Sequence, residues 1–210
     1  MFEKWLNREN AYIFRITHFQ NLSFILSNGI ACRNGLPQDA NFVSIGSYDI
    51  IEKRDKVNIG VNPKGTLSDY IPFYFAPRSP MLYSIRKGTI CSQEDIVYIV
   101  SKAEKIIALK VPFVFTDGHA LIKLSNFYNQ EEDLIHVDWK VMNRRYWNIE
   151  AADNDIKRRR MAEFLVYKHF PVEAIGLIVT KSPDKMKQIM QILTNFGLTI
   201  PVEVRQNWFF

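Results

Sequence analysis

Four stretches of the chain gather side chains that can do chemistry. Arg15-Ile16-Thr17-His18 runs from a strand into a helix start, where free N–H groups suit an anionic or polar ligand. Thr17 could equally do no more than cap that helix, with His18 at the surface. Arg54 follows Lys53 on a second helix, either as a functional cation or as a solvated charge. Between Asp69 and Tyr83, the aromatics Tyr70, Phe73, Tyr74, Phe75 and Tyr83 accompany Arg78. Such a group stacks on a nucleobase or nicotinamide ring, or packs as a buried strand. Lys157-Arg158-Arg159-Arg160 sets consecutive cations before Glu163, an acid that opens an apolar strand. The cations fit a phosphate backbone or a solvated face. His119, after Asp117-Gly118, could be a loop tip and nothing more. No Ser/His/Asp triad and no metal-ligand spacing competes with these residues. Cys32 and Cys91 stand apart from any CxxC or Cys/His pattern, so the expectation is no metal, no disulfide and a reducing cytoplasm.

The elements that must position these groups can be read from periodicity and breakers. Ala11 to Ile16 reads as a strand, and Thr17-His18-Phe19-Gln20 has the form of a capping box. Leu22, Ile25 and Leu26 recur at helical spacing before Gly29 ends the helix. A helix after Ser47 carries Ile50, Ile51 and Arg54. Asp69 to Phe75 is an aromatic strand, Met81 to Lys87 a short helix ending at Gly88, and Ile96 to Val100 a strand. Ser101-Lys102-Ala103-Glu104 reads as a second capping box. Phe113 to Phe115 is a strand, and 126–146 is polar and irregularly helical. Glu163 to Val166 and Ala174 to Val179 are strands. Asp184 to Phe196 is a helix with Met186, Ile189, Met190 and Leu193 on one face, and Ile200 to Val204 is the last strand. This irregular order, without a βαβ rhythm or a Gly-rich phosphate loop, predicts a mixed α+β sheet and not a Rossmann or P-loop domain.

The 210 residues are 47% apolar and 23% charged, as expected of one folded domain over 1–210. No run approaches the ~20 apolar residues of a membrane span. Lys and Arg number 27 against 22 Asp and Glu, a net +5 that mildly favours a polyanionic partner.

Five segments, in order, carry a resemblance. They are Tyr12-Ile13-Phe14-Arg15-Ile16-Thr17-His18 with Asn21-Leu22; Ser44-Ile45 leading to Glu52-Lys53-Arg54; Asp69-Tyr70-Ile71-Pro72-Phe73-Tyr74-Phe75 through Arg78-Ser79-Pro80-Met81-Leu82-Tyr83; Pro112 to His119; and Arg160-Met161-Ala162-Glu163-Phe164-Leu165-Val166-Tyr167-Lys168. Together they resemble the DarT toxins, the DNA ADP-ribosyltransferases of bacterial toxin–antitoxin systems. The resemblance implies an ADP-ribosyltransferase fold of class α+β, with two small, mainly antiparallel sheets forming an NAD cleft and helices around them. It implies NAD-dependent mono-ADP-ribosylation of a thymidine base in single-stranded DNA, with release of nicotinamide and no metal. Glu163 matches the family's catalytic glutamate and Arg54 its active-site arginine. Arg15, Thr17, His18, Asn21, Tyr70, Tyr74 and Arg78 fall on the NAD-cleft segments, and His119 on a loop near the DNA path. From the charge run, Arg158 and Arg159 are expected on the DNA backbone. The implied partner is the macrodomain antitoxin DarG, and the implied state a cytoplasmic monomer.

The chemistry makes these expectations intelligible. Breaking the nicotinamide–ribose bond builds positive charge on the sugar, which a carboxylate can stabilise. A base nitrogen attacks poorly while it keeps its proton, so an acceptor must stand near. Arg54, always charged, could polarise the base or hold a phosphate. Two other readings fit the same residues. One is ADP-ribosyl transfer to guanine or to RNA; the other is a non-catalytic single-strand-binding module.

Overall fold

We describe the protein from a computed structural model, over residues 6–86, 91–147 and 153–210. Apolar runs rich in β-branched and aromatic residues form the longer strands, because such side chains pack well on a pleated, buried surface. In chain order the elements are β1 (Tyr12–His18), α1 (Leu22–Asn28), β2 (Ile30–Ala31), α2 (Tyr48–Asp55), β3 (Tyr70–Tyr74), α3 (Pro80–Arg86), β4 (Ile96–Lys102) and α4 (Ala103–Ala108). They continue with β5 (Phe113–Thr116), β6 (Phe127–Tyr128), α5 (Trp139–Met142), α6 (Ile156–Arg160), β7 (Glu163–Tyr167), β8 (His169–Phe170), β9 (Leu177–Thr180), α7 (Pro183–Asn195) and β10 (Val202–Val204).

One eight-stranded sheet runs β10-β9-β4-β1-β3-β7-β5-β6, and β2 pairs with β8 beside it. Apart from the parallel pair β9–β10, the pairings are antiparallel. The large sheet is nearly two. β1 matches β4 at seven positions and β3 matches β7 at five, yet β1 and β3 meet only at Phe14 and Tyr74. Pro72 helps to explain this seam. It has no N–H to give, and its carbonyl accepts a bond from Arg15 Nη1 at 2.9 Å. The expected two-sheet architecture is thus present as two four-stranded halves joined at one residue pair. Phe73, Phe75, Phe115, Phe164 and Phe170 are fully buried in the core that backs the sheet.

Several boundaries differ from the sequence reading. Thr17 stays in β1, and His18 Nδ1 caps the short 3-10 turn by accepting from Gln20 N at 3.3 Å. Ser101 does not cap α4; its hydroxyl donates to the carbonyl of Ala174 at 2.6 Å, and Lys102 takes the cap position. Residues 172–174 form a 3-10 turn, so β9 starts only at Leu177. The 126–146 region contains the short strand β6 and a 3-10 helix, Glu131–His136, as well as α5. On α7, Ile189 and Leu193 are buried but Met190 is half exposed, because the apolar face is narrower than expected. Gly29, at φ +73°, ends α1 where a side chain would collide with the carbonyl of Phe170. The expected helix end at Lys87 and Gly88 lies outside the described residues.

Candidate active site

Glu163 opens β7 beside the seam. Its backbone N–H donates to Thr116 Oγ1 at 3.0 Å, and the same hydroxyl donates to the carbonyl of Gly118 at 2.6 Å. Across the sheet Glu163 pairs with Tyr74. Its carboxylate does not hang in solvent, since the residue is 2% exposed. Oε1 accepts from the backbone N–H of Ala120 at 3.1 Å, and Oε2 accepts from Arg54 Nη1 at 2.8 Å. A buried carboxylate needs such partners, and here they also fix its orientation. Arg54 reaches it from the last turn of α2. Among the described residues the other terminal nitrogen, Arg54 Nη2, is buried with no hydrogen-bond partner.

Three titratable neighbours feel this pair. Burial, then Arg54, lowers Arg15 to about 10, so it stays charged at neutral pH. Burial, then the Glu163 charge, raises Tyr74, which stays a neutral phenol. Burial lowers His119, only partly offset by Glu163 and reinforced by Arg54. His119 Nδ1 accepts from the N–H of Leu121 at 3.3 Å, which leaves Nε2 as the donor of the neutral ring. Arg15 and Arg54 also line an open cavity of about 350 Å³, together with Thr17, Asn21, Tyr70 and Pro72. Of the wall cations, Arg33 is paired with Asp55 and Arg54 with Glu163, so the cavity's hold on an anion rests on Arg15 and on the unpartnered Arg54 Nη2. The arrangement pairs a fixed carboxylate with an anion-binding wall. It can stabilise positive charge on a ligand whose other end is negative.

Residues 14–210 match the family profile described as "DarT: ssDNA thymidine ADP-ribosyltransferase, DarT". The chain belongs to the DarT family. A DNA ADP-ribosyl transferase of Escherichia coli O127:H6 is 37% identical to it over 209 residues, covering 98% of this chain and 96% of that one. The solved DarT of Thermus sp. 2.9 in complex with ADP-ribosylated single-stranded DNA superposes with a TM-score of 0.89 at 34% identity, over 96% of this chain and 97% of that one. The same Thermus protein in complex with NAD+ superposes with a TM-score of 0.85 at 33% identity, over 96% and 98% of the two chains. A fusion of a DNA ADP-ribosyl transferase with a DNA ADP-ribosyl glycohydrolase, from Thermosipho africanus, is 26% identical over 200 residues, 94% of this chain and 49% of the fusion. As a DarT-family member the chain is a DNA ADP-ribosyltransferase with the ADP-ribosyltransferase fold.

Within this DarT-family site the expected residues separate into two groups. Glu163, Arg54, Arg15, Tyr74 and His119 converge around the carboxylate, and Thr17, Asn21 and Tyr70 line the cavity. Asn21 has a structural task as well. Its amide donates to Thr17 Oγ1 and Val43 O at 3.0 Å and accepts from Val43 N at 2.8 Å, which holds the 40s segment against the cavity. Tyr70 donates to the carbonyl of Lys64 at 2.6 Å, and His18 is occupied with its cap. Arg78 does not line the cavity. It donates from Nη2 to the carbonyl of Phe209 at 2.8 Å and lies 5.0 Å from the centre of the Phe210 ring.

Arg158 and Arg159 also differ from expectation. Arg158 binds Asp155 at 2.7 and 2.8 Å, Asp117 at 3.2 Å and Ser125 at 3.3 Å, while Arg159 binds Asp138, Asp153 and Asp155. Both cations are matched by acids distant in sequence or one helical turn away. Gly118 packs against Arg158 so closely that a Cβ would lie 2.2 Å from its Nη1. Arg158 thereby braces the 117–126 loop that delivers Ala120 to Glu163. Arg158→Ala should therefore reduce transfer without changing how DNA binding responds to salt. In titrations with single-stranded oligonucleotides, the log–log slope should stay within about 0.3 of the parent's, where a lost phosphate contact would remove ~0.7. Sequence reasoning missed Thr116 and Ala120 because a hydroxyl and a backbone amide carry no compositional signal.

Proposed function

We propose that the chain transfers ADP-ribose from NAD to a thymidine base of single-stranded DNA, with Glu163 and Arg54 as its catalytic residues. The observation that carries this is the fixed Glu163–Arg54 pair at the rim of a cavity lined by Arg15 and Arg54. The Thermus relative, solved both with NAD+ and with ADP-ribosylated single-stranded DNA, supports both substrates. The unpartnered Arg54 Nη2 and the Arg15 guanidinium suit an anionic donor.

In the reaction, the bond from ribose to the nicotinamide nitrogen breaks, and its electron pair leaves with neutral nicotinamide. The same ribose carbon bonds a thymine nitrogen, whose proton is released to water. Glu163 stabilises the charge that grows on the sugar, and its anchoring by Ala120 and Arg54 removes the cost of orienting it during the step. Arg15 and the cavity wall bind the phosphates. His119, neutral and donating from Nε2, faces the acceptor side beside Glu163. A single strand spares the enzyme the cost of extruding a stacked base.

The proposed setting is the bacterial cytoplasm, where chromosomal DNA is accessible; no helix of the described residues is long and apolar enough to cross a membrane. The proposed partner is a macrodomain antitoxin, DarG, that removes the modification, supported by the fused glycohydrolase of the Thermosipho relative.

Incubation with NAD and defined oligonucleotides, read by mass spectrometry, tests the reading. A thymine-containing DNA strand should gain one ADP-ribose, while thymine-free DNA and RNA should not. Modification of guanine or RNA instead would change the acceptor, and tight binding without nicotinamide release would replace the enzyme by a binding module. Calorimetry should register NAD binding at millimolar donor, and a folded sample giving no heat would overturn the cavity's assignment.

A further inference from the structure

Segment 32–39 forms one wall of the cavity through Cys32, Arg33, Pro37, Gln38 and Asp39, yet no helix or strand contains it. Something else must hold it. Its start is tied by the N–H of Cys32, which donates to the carbonyl of Lys168 at 2.8 Å. Gln38 folds back across the segment, donating from Nε2 to the carbonyls of Cys32 at 2.7 Å and Gly35 at 2.5 Å. Asn34 donates from Nδ2 to Asp69 Oδ1 at 3.3 Å.

The Asn34 tie reaches Asp69 directly and the Cys32 tie reaches its partner Lys168; Asp69 itself follows Ser68 and precedes Tyr70, both of which line the same cavity. Lys168 Nζ lies 2.5 Å from Asp69 Oδ1, and Lys168 N donates to the Asp69 carbonyl at 2.9 Å. Lys168 can face both ways because it turns through the left-handed region at φ +58°. Asp69 Oδ2 meanwhile accepts from the N–H of Thr66 at 2.8 Å and its hydroxyl at 3.1 Å, closing the turn that leads into β3. One carboxylate thus joins the cavity wall, the entry to β3 and the corner after β7.

We propose that Asp69 is a positioning residue for the donor, holding segment 32–39 in place through Asn34 and Lys168 so that the NAD cavity is formed before NAD arrives. The inference rests on the reading of the cavity as the NAD site. Asp69 lies just before Tyr70, at the opposite end of the β3–β7 ladder from the Tyr74–Glu163 pair, so it governs binding and not the chemical step. Its charge is secure. Burial pushes the carboxyl up, but Lys168, the Thr66 amide, Asn34 and the Thr66 hydroxyl outweigh burial and hold it at about 2.

The test is steady-state nicotinamide release on a thymine-containing single strand, with KM for NAD and kcat resolved, for Asp69→Ala, Asp69→Asn and Lys168→Met. Asp69→Ala is expected to raise KM for NAD by ~10-fold or more while kcat at saturating NAD stays within ~3-fold, the pattern of lost ground-state and transition-state binding alike. Asp69→Asn keeps an acceptor for Thr66 but loses the ion pair, and Lys168→Met loses the pair from the other side. Both should raise KM by ~3-fold, and both keep the Thr66 turn closed should Asp69→Ala fail to fold. Unchanged KM in folded Asp69→Asn and Lys168→Met, or a fall in kcat with KM constant, overturns the proposal. A parent enzyme that releases no nicotinamide would instead overturn the reading of the cavity.

Discussion

Glu163→Gln is expected to reduce ADP-ribosyl transfer by at least ~10²-fold, because it removes the charge that faces the developing sugar cation while leaving size and shape in place. Glu163→Ala should be no less impaired. Both changes also carry a stability cost. Arg54 is 13% exposed at its side chain and Glu163 2%, so the variants leave a largely buried guanidinium without its anion and with Arg15 nearby. Removing one partner of a buried pair costs ~3–5 kcal/mol, and the open cavity admits water that brings the expected loss toward ~2–3 kcal/mol. For a chain of this size that lowers Tm by roughly 4–12 °C. Single-turnover labelling of a thymine-containing strand, with Tm and NAD binding measured on the same preparations, separates the two effects. A folded Glu163→Ala protein within about tenfold of the parent's rate would remove Glu163 from the mechanism.

Arg54 should prove nearly as important, and the pattern across its variants identifies what it does. Arg54→Ala leaves the Glu163 carboxylate, among the described residues, with the Ala120 amide alone, and transfer is expected to fall by ~10²-fold or more with a comparable loss of Tm. Arg54→Lys restores a cation beside Glu163 but not the planar fork, so the second terminal nitrogen that lacks a protein partner disappears. Its Tm should return to within a few degrees of the parent's, while transfer stays at least ~10-fold down. A lysine variant with full activity would mean that Arg54 serves only as a counter-ion for Glu163.

Glu163 stood out in the chain as an acid at the head of the apolar strand Phe164-Leu165-Val166, while its catalytic role was implied by the resemblance to the DarT toxins. The strands were legible because their apolar runs leave few alternatives to burial. Arg158 and Arg159 were not. A run of cations looks alike whether it faces solvent or four aspartates, and Asp117 and Asp138 approach only once β5 and α5 are in place. Asp69 appeared as an ordinary residue before an aromatic strand, because its partners Asn34 and Lys168 lie 35 and 99 positions away. The capping boxes failed for a related reason. Their local geometry was plausible, but Thr17 and Ser101 found better partners in Asn21 and Ala174. Contacts that close long loops are decided by the whole fold, so short spacings carry little trace of them.

The single residue pair joining β1 to β3 gives the protein two structural centres, β4 with strands on both sides and β7 likewise. Each half is laced by its own ladders, so a perturbation on one side of the border need not propagate to the other. The loop from Asp117 to Asn126, with β5 and β6, lies wholly in the β7 half, while β1 lies in the β4 half. Substitutions in that loop can therefore be made without disturbing the ladder of the strand that carries Arg15 and Thr17. The cavity, by contrast, takes its lining from both halves, Arg15 and Thr17 from β1 and Tyr70 and Pro72 from β3, so a shift of one half against the other would change its shape without breaking either set of ladders.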